Sequence, residues 1–461
     1  MLTAVSWRYG YMGDELYFVT AGHHLAWGYA DQPPLVPLIA LAMDTIAPGV
    51  VAVLRIPSTL ATVALIVLAA LTARELGGRR RAQLITAGTV AVSPLFLGGG
   101  HLLATSTLDP VFWTALTFLL VRWVRTRSDR LLLVAGIVTA VALEVKFLVV
   151  GFWLVAIVAV LIVGPRDMLR RPAFWLGGAV AVVATIPTLI WQAQNGWPQL
   201  EMSRVIAGEG AYTGGLLGFL PVGLLVGGLL IGSVLAIHGA VRLLRDPVHR
   251  LLGITALGVV VLFMVTGGRV YYFAGMLPLV WAASAVGIER HRPAIWWRWV
   301  PMWPTFALTV LALAWNNTLP IAPVSALADQ PVQIGNFQLD EIGWPAMVDD
   351  VARAHRAAPR NTVVVTDSYW VVSAVQKYAP EVPAYSGSRG AAWFGAPPES
   401  SGDVVFVGDP SALGPAFGRV TRIGALDDDV RVNNLSQGTP IFLLEGRHAS
   451  WAQLWPRITK L

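Results

Sequence analysis

The chain has 461 residues, 55% hydrophobic and only 13% charged, with a mean hydropathy of +0.62. Soluble domains carry about 25% charged residues, so half the usual charge is missing and the composition is that of a membrane protein. The net charge of +6 is not a nucleic-acid signal, because most arginines fall between apolar stretches. The absence of cysteine excludes a disulfide, a thiolate nucleophile or a Cys-ligated metal.

Residues 9–35, YGYMGDELYFVTAGHHLAWGYADQPPL, come first and are polar beside the long apolar stretches C-terminal to them. They hold the acidic pair Asp14-Glu15, the pair His23-His24, and Asp31 ahead of Pro33-Pro34. Two prolines fix the backbone and end a helix, which would hold Asp31 in place. A carboxylate in a partly desolvated pocket gains basicity and can take a proton from a hydroxyl. Taken alone, an acidic pair is more often a solvated charge at a helix start. His23-His24 has no second cluster of ligands at suitable spacing, so no metal site is read there.

Apolar windows of about 17–25 residues mark spanning helices. Ten are expected, near 51–74, 82–100, 108–124, 131–146, 148–164, 173–192, 216–240, 251–267, 270–288 and 299–318. If the first runs outside to inside, the inner loops carry seventeen arginines. The opposite side keeps only Arg8, Lys146, Arg204 and Arg269 ahead of the C-terminal region. That is a clear positive-inside bias. It puts Asp14, Asp109, Glu144 and everything after residue 319 on the outer face. Residues 1–49 would then lie outside with no span before them, or a start upstream of Met1 would add one helix.

Three cations run against the bias: Arg55 in LRIPSTL, Lys146 at a span end, and Arg269 just before Tyr271-Tyr272. Ionisable groups at membrane depth are costly and point to function. A lipid phosphate would use them, arginine through bidentate contacts; snorkelling to headgroups is the alternative. Asp109-Pro110 opens a span and reads as a helix N-cap, and Glu144 as a charge partner two residues before Lys146. Residues 320–461 alternate β-rich runs at 362–367, 403–408 and 440–446 with helix-compatible stretches at 345–358 and 369–378. This is the pattern of a small α/β domain.

The run YGYMGDELYF…GYADQPPL, then RIPS at 55–58, LDP at 108–110, LEVK at 143–146, IWQAQNGWP at 190–198 and RVYYFAGMLP at 269–278 resembles glycosyltransferase family 39. This is the bacterial branch of the protein O-mannosyltransferase and aminoarabinose-transferase group, with the GT-C fold. The tail is similar to the extracytoplasmic domain of one bacterial subgroup, notably VPAYSGSRGAAWFGAPP at 382–398. The resemblance implies an α-helical polytopic protein of the cell membrane. A GT-C bundle would span 1–319, its catalytic first outer loop covering about 1–50, and an extracytoplasmic α/β domain would span 320–461.

It further implies a hexosyl- or pentosyltransferase that moves sugar, with inversion, from a polyprenyl-phosphate donor to an extracytoplasmic protein, lipid or glycan. Asp14 would be the base with Glu15 beside it. Arg55, Lys146 and Arg269 would hold the donor phosphate, and Asp31, Asp109, Tyr271 and Tyr272 would contact substrate. No cofactor is required, although Asp14, Glu15 and Asp109 could gather a divalent cation. Membrane lipids are the other partners, and no nucleic acid is expected. Two features depart from the family: the helix that normally precedes the acidic loop has no counterpart, and Gln32 replaces the Lys that some relatives place before the Pro-Pro pair. The rival readings are a transporter or flippase of lipid-linked sugars, which would place its charges in broken helices at the midplane, and an inactive scaffold.

Overall fold

A computed structural model of the chain describes residues 1–209, 214–291, 293–330 and 337–461. The first fifty residues are largely helical. A short turn, α1 (Leu2–Val5), precedes α2 (Gly13–His23), which begins at the acidic pair. Carboxylates suit the positive end of a helix, and Glu15 also folds back to accept the Met12 N–H at 3.0 Å. Pro33-Pro34 do not end a helix, contrary to expectation. Pro34, with φ −78°, opens α3 (Leu35–Ile46), because a fixed φ near −65° is already the helical value.

The bundle begins with α4 (Val51–Leu54) and α5 (Ile56–Glu75), then α6 (Arg80–Ala91) and α7 (Pro94–Gly100), which bend by 63°. Next come α8 (Thr105–Thr126), α9 (Asp129–Leu143), α10 (Val149–Val163), α11 (Pro172–Gln194) and α12 (Pro198–Glu209). It closes with α13 (Gly215–Arg245), α14 (Arg250–Val265), α15 (Leu277–Arg290) and α16 (Trp303–Trp315). Among the described residues, four helical stretches are long and apolar enough to cross a membrane, or five if α6 and α7 form one broken span. Each expected span falls on a helix, but several are shorter than expected. A turn at 144–148 separates α9 from α10, and residues 269–276 form turns that precede α15. Large apolar side chains such as Leu154, Val182, Leu217 and Trp315 face outward, as lipid contact requires, while Trp281 is sealed inside.

The two ends of the bundle differ. At one end of α5, Arg55 lies against Glu15 of α2; at the other, Glu75 pairs with Arg125 at 2.6 Å. Near Glu75, Arg127 meets Asp167 at 3.1 Å, Arg171 meets Asp129 at 3.5 Å, and Glu289 accepts the Arg79 N–H. The arginine-rich loops thus gather roughly 30 Å from α2, the length of a twenty-residue helix.

The C-terminal region holds α17 (Trp344–Ala357), β1 (Val363–Thr366), α18 (Tyr369–Tyr378), β2 (Ala384–Ser386), β3 (Val404–Val407), β4 (Phe417–Ala425), β5 (Pro440–Arg447) and α19 (Trp451–Ile458). The sheet order is β2-β1-β3-β5-β4, parallel through β3 and antiparallel beyond it. β1 and β3 are all-apolar or nearly so and buried throughout, as covered parallel strands must be. The expectation of three strands missed β2, only three residues long, and β4, which is mostly exposed. One hydrophobic core joins Leu16, Tyr17 and Phe18 of α2 to Val371, Val372 and Val375 of α18.

A fully buried ion-pair knot ties these parts together. Arg55 donates to both oxygens of Glu15, at 2.9 and 2.7 Å, and to the carbonyls of Ser6 and Gly10. It also lies 3.2 Å from Glu341 and 2.8 Å from His101. Glu15 accepts the Leu103 N–H as well. Losing one partner of a buried pair strands the other charge, at a cost of about 3–5 kcal/mol. Arg55→Ala is therefore expected to lower the thermal unfolding midpoint sharply in detergent; an unchanged midpoint with weakened ligand binding would contradict this structural role.

Candidate active site

Successive side chains on a helix point about 100° apart, so Glu15 and its neighbour Asp14 cannot share a destination. Glu15 turns into the knot, and Asp14 faces the start of α18. Asp14 Oδ1 accepts the Tyr369 hydroxyl at 2.8 Å and the Trp370 indole N–H at 2.7 Å. Oδ2 accepts no hydrogen bond from a described residue, on a side chain that keeps partial exposure. This close seating needs glycine at two places. A Cβ on Gly13 would run into the Trp370 ring, and one on Gly390 into the Tyr17 hydroxyl.

Asp31 stands beside this arrangement. Tyr17 donates its hydroxyl to Asp31 Oδ1 at 2.8 Å and packs edge-on against Tyr369, ring centroids 5.1 Å apart. Burial pushes the Asp31 carboxyl up to about 6, against the opposing pull of Tyr17 and Arg389. Burial, followed by the charge of Asp14, also raises the Tyr369 hydroxyl well above its ordinary value. Tyr369 therefore remains a protonated donor.

The cations expected at a phosphate separate into two groups. Lys146 lies over the rings of Tyr272 and Tyr271, at 4.6 and 5.5 Å, near enough to Asp109 and Arg269 for both charges to act on it. Arg269 reaches the Tyr271 hydroxyl at 3.4 Å and Glu209 at 2.6 Å. Contacts lead back to Asp14 from there: Arg389 reaches Glu209 and lies over the ring of Tyr369, whose hydroxyl bonds Asp14. Asp14, Asp31, Asp109, Lys146, Arg269, Tyr271 and Tyr272 thus fall in one neighbourhood. Arg55 and Glu15 do not join it. Both are fully enclosed and spend their hydrogen-bonding groups on each other and on the backbone, so neither the phosphate role for Arg55 nor the catalytic role for Glu15 fits.

Two local expectations are also corrected. Asp109 is not an N-cap; it lies inside α8 and accepts the Trp113 indole N–H at 3.1 Å. Glu144 bonds the Thr188 hydroxyl at 3.0 Å rather than Lys146. His23 and His24 diverge, the first 3.2 Å from Asp44, the second stacked on Phe394 at 4.6 Å. Among the described residues, no three His, Asp or Glu side chains stand together as a metal-binding group, and Glu15 is turned away from Asp14 and Asp109.

Sequence reasoning missed Tyr369, Trp370, Arg389, Tyr17 and Glu209. The Arg389 guanidinium sits 4.9 Å from the Tyr369 ring centre and 3.4 Å from Glu209. A signal existed for Tyr369-Trp370, which follow the expected strand at 362–367, but not for Arg389, which follows the unread β2. Tyr369-Trp370 and Arg389 come just after the carboxyl ends of β1 and β2, the edge where parallel sheets present ligand-binding residues.

The raised Asp31 has a consequence for stability. Between its ordinary value of 3.8 and about 6, the folded state holds this proton more tightly than the unfolded chain. The contribution is complete at low pH and is lost as pH rises through about 6. Buried Asp340, also raised to about 6, acts in the same direction. Asp31→Asn is expected to remove part of the fall in thermal midpoint between about pH 4 and pH 7; an identical slope in the variant would contradict the assignment.

Residues 31–191 match the family model for dolichyl-phosphate-mannose-protein mannosyltransferase. No curated protein is similar enough in sequence to match the chain. Among solved structures, ArnT from Cupriavidus metallidurans in the apo state is similar with a TM-score of 0.64 and 14% identity, over 96% of this chain and 95% of that one. ArnT bound to undecaprenyl phosphate gives 0.61 and 14% over the same shares. At that identity the likeness is one of fold. Residues 31–191 are similar to this mannosyltransferase family, the GT-C fold extends over nearly the whole chain, and the likeness to glycosyltransferase family 39 read from the motifs stands.

Proposed function

We propose that the chain transfers a hexosyl or pentosyl group from a polyprenyl-phosphate donor to a hydroxyl of an extracytoplasmic protein, lipid or glycan, with inversion and with Asp14 as general base. The observation that carries this reading is the Asp14 carboxylate. One oxygen is fixed by two aromatic donors, and the other has no bond from a described residue. A base held at one oxygen and open at the other is oriented for an incoming hydroxyl. The fold shared with ArnT, which has been crystallised with undecaprenyl phosphate, supports the donor class.

In the reaction, Asp14 Oδ2 takes the acceptor proton as the acceptor oxygen bonds to the anomeric carbon. The bond from that carbon to the phosphate oxygen breaks, and the electron pair leaves with the polyprenyl phosphate. Attack opposite the leaving group inverts the centre. Lys146 and Arg269 stand beside the growing phosphate charge, joined by Tyr271, whose ring lies under Lys146 and whose hydroxyl Arg269 reaches. Fixed charges aimed at a leaving group in a poorly solvated site often supply the largest share of catalysis. Asp31 and Asp109 contact sugar or acceptor hydroxyls. The positive charge comes from side chains, so a divalent cation has no part in this scheme. The arginine-poor end, carrying the base and the C-terminal domain, faces away from the cytoplasm.

Asp14→Asn keeps the shape and the acceptor capacity of Oδ1 but removes the base. Turnover is expected to fall by about 10²–10⁴-fold, the usual contribution of a positioned base, while undecaprenyl phosphate binding to the purified protein stays near wild type. Transfer of radiolabelled sugar from a polyprenyl-phosphate donor is the assay. Retained turnover in the variant would remove Asp14 from the role.

A further inference from the structure

Two guanidinium groups from opposite parts of the chain converge on one carboxylate. Arg269, just ahead of α15 in the bundle, reaches Glu209 Oε2 at 2.6 Å, and Arg389, beside β2 of the C-terminal region, reaches Oε1 at 3.4 Å. None of the three is sealed off: the side chains are 34%, 24% and 34% exposed for Arg269, Arg389 and Glu209. This contrasts with the wholly buried Arg55 knot. A single carboxylate facing two partly open arginines leaves excess positive charge, in the geometry that suits a two-oxygen anion.

We infer that Glu209 occupies the seat of the donor's phosphate, and that the phosphate displaces it to be gripped by Arg269 and Arg389 together. The exchange conserves charge on entry, since the phosphodiester of a polyprenyl-phosphate sugar carries one negative charge, as Glu209 does. After transfer the leaving group is a phosphate monoester, whose second ionisation lies near pH 6 and brings its charge towards −2. Two guanidinium groups therefore hold the leaving phosphate more strongly than either the donor or Glu209, which is the difference that accelerates a reaction. Arg389 also couples this seat to the base: its guanidinium lies over Tyr369, whose hydroxyl bonds Asp14. Arg389 is thus a phosphate ligand contributed by the C-terminal domain, and Glu209 a displaceable occupant.

The ligand's identity rests on the proposed function; the two-arginine seat does not. The full chain in lipid nanodiscs is titrated with undecaprenyl phosphate, with the thermal midpoint of each variant measured alongside. Glu209→Gln removes the competing charge and is expected to tighten binding about fivefold, the scale of a partly exposed ion pair, with a matching fall in donor KM. Arg389→Gln is expected to weaken binding about tenfold or more, and Arg389→Lys to restore part of it. The double variant should not recover the tight binding of Glu209→Gln. Unchanged or weaker binding in Glu209→Gln, or unaffected binding in Arg389→Gln, overturns the inference while leaving the transferase reading intact. A wild-type protein that binds no undecaprenyl phosphate overturns both. Inorganic phosphate serves as a second probe; a response equal to that of the lipid would reassign the seat to free anions and overturn the donor role.

Discussion

The Glu15–Arg55 pair fixes the first turn of α2, and the placement of Asp14 depends on it. Glu15 cannot rotate outward without stripping the buried Arg55 of two charge-assisted hydrogen bonds and the Leu103 N–H of its acceptor. The helical step between neighbours then sends Asp14 toward α18. Because Glu341 lies just ahead of α17, the same knot draws the C-terminal region down onto α2. Such a pair adds little net stability against a well-packed apolar alternative. Its effect here is geometric: it makes one arrangement of acid, helix and domain far more favourable than the others.

From Asp14 the contacts run without a break through Tyr369, Arg389, Glu209, Arg269 and Tyr271 to Lys146. Aromatic rings flank the central Arg389–Glu209–Arg269 triad on both sides, Tyr369 toward Asp14 and Tyr271 toward Lys146. Aromatic faces attract cations, and protonated tyrosine hydroxyls donate to anions, so the rings satisfy both signs without adding net charge. That economy matters where water is scarce. The C-terminal domain supplies Tyr369, Trp370 and Arg389, which makes it part of the candidate site rather than an appendage.

Each span expected from hydropathy falls on a helix, because burial in lipid or core demands apolar residues whichever partner a helix meets; the more polar α12 lies outside every expected span. Helix lengths were harder to read. The turns at 144–148 and 269–276 are themselves rich in Val, Leu, Phe and Tyr, so no change in polarity marks where the helix stops. Asp14, Asp31, Lys146 and Arg269 stand out in the sequence as charges in apolar or proline-bound surroundings. Arg55 stands out for the same reason and misleads, since a sequence does not say whether a buried cation already has its anion. Tyr369 lies 355 positions from Asp14 along the chain, and Arg389 and Glu209 are separated by 180. No local pattern encodes such pairings; only the folded core that joins α2 to α18 creates them.

A structure with undecaprenyl phosphate bound would show whether base and cations surround one lipid headgroup. The phosphate is expected at about 3 Å from Arg269 and Arg389, near Lys146, with Glu209 displaced and Asp14 Oδ2 facing the position of the sugar. A phosphate seated away from these cations, or Asp14 opening onto a different cavity, would contradict that arrangement.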